Sequence, residues 1–113
     1  MDIQGRGLLS FTATAIKRGV LVLDVREKEE FLRGHVPNAT HLARGIIELE
    51  IERRVPDPAT EILVYCGAGN RSALVADNLQ SMGYINVKTL AGGLQEWIDA
   101  GLPTWRTSRT IED

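Results

Sequence analysis

Ile62-Leu63-Val64-Tyr65-Cys66-Gly67-Ala68-Gly69-Asn70-Arg71-Ser72-Ala73 runs from a buried-strand pattern through a glycine-rich turn into the start of a helix. Its first part is continuously apolar rather than alternating, as in a strand covered on both faces. Val20–Leu23 reads the same way, Val87–Leu90 is a third strand, and Thr40-His41-Leu42 a shorter fourth. Helical stretches alternate with these strands: Thr12–Lys17, Glu27–Leu32, Gly45–Arg54, Arg71–Met82 and Gly93–Ala100. Gly34 and Gly83 stand where helix C-caps are expected. The spacing turns Ile46, Ile47, Leu49 and Ile51 toward a core, and likewise Leu74, Val75, Leu79 and Met82, and then Leu94, Trp97 and Ile98. Alternation of strand and helix predicts an α/β fold, a small parallel sheet with helices on both faces. Ligands in such folds sit at the carboxyl ends of the strands, which is where Cys66 falls.

The chain has 113 residues, which suits one domain over residues 1–113. Pro56-Asp57-Pro58 marks a loop, and the polar stretch 106–113 after Pro103 reads as a frayed tail. Apolar residues make up 43% and charged residues 25%, the balance of a globular protein. A net charge of -2 gives no electrostatic case for a nucleic-acid partner or an anionic membrane surface. The apolar runs are far shorter than the roughly 20 residues of a membrane span. No targeting pattern is visible near Met1, and the expected location is cytoplasmic, with the thiol reduced. Cys66 is the only cysteine, so it is either a small buried hydrophobe or a reactive thiol.

The residues after Cys66 bear on that choice. Gly67 and Gly69 tolerate unusual backbone angles, and successive N–H groups in such a turn converge on an anion. The helix behind the turn adds its positive end. A thiol in this cradle shifts toward thiolate, the nucleophilic form. Arg71 lies five residues after Cys66 and brings a fixed positive charge with a bidentate donor fork. The competing reading is an ordinary strand-end thiol above a tight turn.

Cys-x-x-Gly-x-Arg after a buried strand resembles the active-site loop of a rhodanese domain. Leu23-Asp24-Val25-Arg26-Glu27-Lys28-Glu29-Glu30-Phe31 resembles the first motif of that family, and Gly34-His35-Val36-Pro37-Asn38-Ala39 its Gly-His-Ile-Pro-Gly-Ala motif. Gly83-Tyr84, Val87, Leu90, Gly92-Gly93, Trp97 and Gly101-Leu102-Pro103 resemble its closing signature. The resemblance covers about residues 8–105. It implies sulfur transfer: a Cys66 thiolate takes a sulfane sulfur, becomes a persulfide and hands the sulfur to a thiol, protein or other thiophilic acceptor. It implies neither metal nor organic cofactor, small sulfur-containing anions as substrates, and the loop Gly67, Ala68, Gly69, Asn70, Arg71 and Ser72 as the site.

Loop length separates subclasses of the family. Four residues lie between Cys66 and Arg71. The family's phosphatases and arsenate reductases carry one more, in a ring that fits a tetrahedral oxyanion, so the shorter ring favours sulfur transfer. The alternatives kept open are a non-catalytic sulfur-carrier or regulatory module and, behind it, a thiol phosphatase or arsenate reductase. The loop interior is uncharged, unlike that of some thiosulfate-using relatives, and Leu42–Glu48 looks like a variant found in members associated with polysulfide or persulfide sulfur. Arg44, at the end of a strand, is thus a candidate substrate contact or a surface charge. Asp24 and Arg26 lie on the same edge, with Arg26 either a substrate contact or paired with Glu30 across one helical turn. His35 reads as an anchor of its turn. His41 has no partner at metal-ligand spacing and reads as structural. Trp97 and Trp105 read as packing residues, and Glu48, Glu50 and Glu52 as an exposed face. Oligomeric state and the physiological donor and acceptor are left open.

Overall fold

The structure is a computed structural model that describes residues 2–3 and 19–106. The expected helix at Thr12–Lys17 and the tail from residue 107 lie outside the described residues. In chain order the elements are β1 (Asp2–Ile3), β2 (Leu21–Asp24), α1 (Lys28–Arg33), β3 (Thr40–His41), α2 (Ile47–Arg54), β4 (Ile62–Tyr65), α3 (Asn70–Ser81), β5 (Val87–Leu90) and α4 (Gly93–Asp99). They build an α/β fold around a five-stranded sheet in the order β1-β5-β4-β2-β3, with every pairing parallel. The two-residue β1, which pairs with β5, carries no apolar run and was not anticipated from the sequence.

Alternate residues of each central strand feed two cores. Leu23, Ile62, Val64 and Val87 meet Ile47 and Ile51 of α2 and Val75 and Leu79 of α3. Val22, Leu63, Tyr65 and Leu90 meet Leu94 and Trp97 of α4. Trp97 is core, and its indole N–H donates to the Pro103 carbonyl at 2.7 Å. Trp105 lies at the rim, half exposed, and exchanges two backbone hydrogen bonds of 2.9 Å with His35.

Several apolar residues turned inward by the pattern are exposed instead. Leu49 is 82% exposed, because α2 buries the i, i+4 pair Ile47 and Ile51, and Leu49 lies on the opposite side of the helix. Ile46 precedes α2 in a turn, so it escapes the helical stripe. Leu74 and Ile98 flank the stripes of α3 and α4 and are about half exposed. Glu50 pairs with Arg53 and Arg54 along α2, and Glu48 accepts a hydrogen bond from Asn78 of α3 at 2.8 Å. Among the described residues no helix is long and apolar enough to cross a membrane.

Beneath the carboxyl edge lies a buried ion pair. Asp24 is fully buried and Arg26 nearly so; Nη2 of Arg26 meets Oδ2 of Asp24 at 2.7 Å and Nε meets Oδ1 at 3.0 Å. The Arg26 guanidinium also donates to the Gly34 carbonyl at 2.6 Å and lies 5.8 Å from the centre of the Tyr65 ring. Burial pushes the guanidinium pKa down, but the hydrogen bonds and charge of Asp24 outweigh it and leave the pKa raised. Arg26 therefore does not pair with Glu30 as the local spacing suggests. Asp24 is only two residues away and shares its buried environment, where an unpaired charge is most costly. Asp24→Asn should lower unfolding stability in urea by about 3 kcal/mol, because it leaves Arg26 buried without its counter-charge.

Candidate active site

Parallel pairing brings the carboxyl ends of β2, β3 and β4 to one edge. The Val25 N–H donates to Tyr65 and the Leu42 N–H to Asp24, at 3.1 and 3.0 Å. Cys66 is the first residue beyond β4 and is 1% exposed. The loop then folds back over its sulfur. The N–H groups of Gly69 and Ser72 donate to Sγ at 3.1 and 3.3 Å. The Ser72 hydroxyl lies 3.5 Å from Sγ and 3.2 Å from the Gly69 carbonyl. A hydroxyl has one proton to give. With a neutral thiol it serves the Gly69 carbonyl and accepts from S–H; with a thiolate it turns to the sulfur. Burial pushes the thiol pKa up. The Ser72 hydroxyl and the N–H groups of Ser72, Gly69 and Arg71 outweigh burial and hold it below the ordinary value.

The opposite face of the loop is tied to α4. The Leu94 N–H donates to the Cys66 carbonyl at 2.8 Å, and the Gln95 N–H to the Gly67 carbonyl at 3.0 Å. These two carbonyls are thus held on the side of α4. The approach is close enough that two positions require glycine. A Cβ on Gly93, at φ +62°, would lie 2.5 Å from the Cys66 carbonyl oxygen. A Cβ on Gly69, at φ +103°, would lie 2.1 Å from the Ala91 carbonyl oxygen. Gly67 has no positive φ; a Cβ there would press on the Arg71 guanidinium at 3.3 Å. Ala68 and Asn70 are exposed on the outer side of the loop.

Arg71 does not stand free beside the thiol. Its guanidinium forms a two-pronged pair with Glu30 of α1, at 2.8 and 3.0 Å. Glu30 also accepts the Glu27 N–H at the start of α1, at 3.0 Å. The Arg71 hydrogen bond holds the Glu30 carboxyl at about 2, and Glu30 in turn raises Arg71. For a carboxyl lowered on folding, the contribution to stability is full above its unfolded value of about 4.3 and is lost as pH falls toward 2. The pair is therefore intact through the neutral range. Beside it lies a cavity of about 220 Å³, whose walls include Arg26, Glu30, Arg33, Leu94 and Ile98 but not Cys66.

The remaining candidates separate clearly. Arg44 lies exposed in the turn before α2, held by its own N–H to the Val25 carbonyl at 3.1 Å. His35 is buried, stacks on Phe31 at 3.9 Å and bonds the Phe31 carbonyl through Nδ1. His41 bonds the Arg26 carbonyl through Nε2 at 2.8 Å. Among the described residues no cluster of His, Cys, Asp and Glu could hold a metal ion. Sequence reasoning missed Glu30 as the partner of Arg71 and Tyr65 as a buried support. The Tyr65 hydroxyl accepts the Val36 N–H at 3.0 Å, and burial followed by the Asp24 charge pushes its pKa far up.

The sequence pattern of the rhodanese-like domain matches residues 11–100. The chain belongs to the rhodanese-like domain family. It is 32% identical over 107 residues to a thiosulfate sulfurtransferase of Arabidopsis thaliana, covering 84% of this chain and 79% of the relative. It is 39% identical over 89 residues to an adenylyltransferase and sulfurtransferase of Candida albicans, covering 74% of this chain but 20% of that protein. The solved thiosulfate sulfurtransferase of Pseudomonas aeruginosa superposes with a TM-score of 0.73 at 38% identity, over 78% of this chain and 17% of that one. This rhodanese-like chain thus spans nearly four-fifths of one relative and about a fifth of the length of others. The matches set it among the rhodanese-like sulfurtransferases and sulfur carriers.

The cradle predicts a measurable acidity. Alkylation of Cys66 by iodoacetamide against pH should show a midpoint below the value of about 8.5 for a free thiol. Ser72→Ala should move the midpoint up. Gly93→Ala should move it up as well, by displacing the loop that carries the N–H donors.

Proposed function

We propose that the chain moves sulfane sulfur from an anionic donor to a thiophilic acceptor through a persulfide on Cys66. One observation carries this reading: the sulfur lies under N–H donors of a ring with four residues between Cys66 and Arg71. The chemistry balances without a redox partner. The Cys66 thiolate attacks the outer sulfur of the donor, an S–S bond forms, and the donor's own S–S bond breaks. The donor leaves as sulfite from thiosulfate, or as a polysulfide shorter by one sulfur. The new persulfide carries one negative charge on its terminal sulfur, which the same N–H groups would stabilise. An acceptor thiolate then attacks that sulfur and returns Cys66 as thiolate. No proton need move on the enzyme. We assign the reaction to the cytoplasm, where a lone thiol stays reduced.

The names of the relatives support thiosulfate as an accepted donor. The uncharged loop interior and the pairing of Arg71 with Glu30 support a preference for polysulfide or a persulfide. Arg71 and the exposed Arg44 are the proposed donor contacts; Arg26 is committed to Asp24. The sulfur-carrier reading is favoured by the match to a fraction of larger proteins, and it predicts stoichiometric loading without turnover.

Treatment with polysulfide should add one sulfur atom to the intact mass of the chain. Cyanide or dithiothreitol should remove it, and Cys66→Ser should not acquire it. The kcat/KM for polysulfide should exceed that for thiosulfate. Hydrolysis of p-nitrophenyl phosphate should be absent, because the ring lacks the residue that would widen it around a phosphoryl group. A serine variant that keeps its turnover would remove the persulfide reading. Preference for thiosulfate would remove only the donor assignment.

A further inference from the structure

We propose that Glu30 sets the charge preference of the Cys66 site by holding the guanidinium of Arg71 as a paired, rather than free, cation at the side of the loop. Glu30 is a positioning residue in this account: it acts on the sulfur and its donor through Arg71. Donor preference rests on the sulfur-transfer reading above, whereas the local charge at Cys66 does not.

The geometry is more than a helix cap requires. One Glu30 oxygen accepts the Glu27 N–H, which completes the first turn of α1. Yet both oxygens also reach across 41 residues of sequence to the two terminal nitrogens of Arg71. Such a fork fixes the plane of the guanidinium as well as its position. That plane lies against Gly67, where even a methyl group would stand only 3.3 Å from Nη2. Nη2 of Arg71 thus stands between Gly67 on the loop side and the Glu30 oxygen to which it donates. A free guanidinium would draw a dianion twice as strongly as a monoanion, since the attraction scales with the charge of the ligand. Paired with Glu30 it presents a dipole, whose field falls off faster with distance. What remains at Sγ is the field of neutral N–H groups, which suits a large, diffuse sulfur anion.

The test reads the local charge without requiring turnover. Iodoacetamide is neutral and iodoacetate is an anion, and both alkylate the same sulfur. Glu30→Gln keeps an oxygen for the Glu27 N–H, removes the charge and replaces one acceptor of the Arg71 fork by an NH2 donor. It should raise the rate ratio of iodoacetate to iodoacetamide by roughly three- to tenfold. It should also lower the pH midpoint of alkylation and lower the thiosulfate KM by more than it changes kcat. Glu30→Asp, which restores the charge, should return the ratio toward the original value. With Arg71→Met in the background, Glu30→Gln should raise the ratio by clearly less, since only the direct field of the carboxylate is then lost and no guanidinium is released. Glu30→Ser is the second variant should the glutamine form fail to fold, with the same expectation. An unchanged ratio in a variant that melts like the parent would overturn the proposal. So would a change of the same size with and without Arg71. Absence of turnover with every sulfane donor in the parent protein would defeat the sulfur-transfer reading, and the alkylation ratio would still decide the role of Glu30.

Discussion

Two hydrogen bonds decide which face the loop turns to its sulfur. The Leu94 and Gln95 N–H groups at the start of α4 take the carbonyls of Cys66 and Gly67. A peptide group whose carbonyl is held on one side tends to leave neighbouring N–H groups to converge on the other, and here that side is occupied by Sγ. The arrangement depends on Gly93, whose positive φ and missing Cβ let α4 approach to contact distance. The fold supplies the rest by placing β4 and β5 side by side, so that the loops leaving them meet at one edge.

The electrostatics of this edge rest on neutral dipoles rather than free charges. Two cations near it are fixed by carboxylates: Arg26 by Asp24, and Arg71 by Glu30. Arg44 is exposed. Asp24 and Arg26 form a support beneath the site, with Tyr65 and the Gly34 carbonyl completing their contacts. Backbone N–H groups are preorganised and need no reorientation when charge appears on the sulfur, whereas long charged side chains would have to be ordered first. A thiolate and a persulfide each carry one negative charge, so the same donors serve both states.

Much of the fold was legible because its signals are local. The continuous apolar run before Cys66 and the glycines after it mark a strand, a turn and a helix with no reference to the rest of the chain. The strand expected at Val20–Leu23 is displaced by one residue, to Leu21–Asp24, because Asp24 is buried through its pairing with Arg26 and polarity alone argued against it. Leu49, Leu74 and Ile98 were placed inward because helical spacing marks a wider stripe than a small sheet can cover. Position-by-position reading also favoured an Arg26–Glu30 pair, one helical turn apart. The structure gives each a different partner, and Glu30 finds Arg71 across 41 residues, a contact that only the folded sheet brings within reach. The candidate nucleophile was thus readable from sequence, whereas the pairing of the charges around it was not.

The most direct measurement of the central claim is a crystal structure of the chain after reaction with polysulfide. The account predicts one additional sulfur atom bonded to Cys66 Sγ and enclosed by the loop, within hydrogen-bond reach of the Gly69, Arg71 and Ser72 N–H groups. A sulfur directed away from those groups, or an unmodified Cys66 in protein that has taken up sulfur elsewhere, would contradict it.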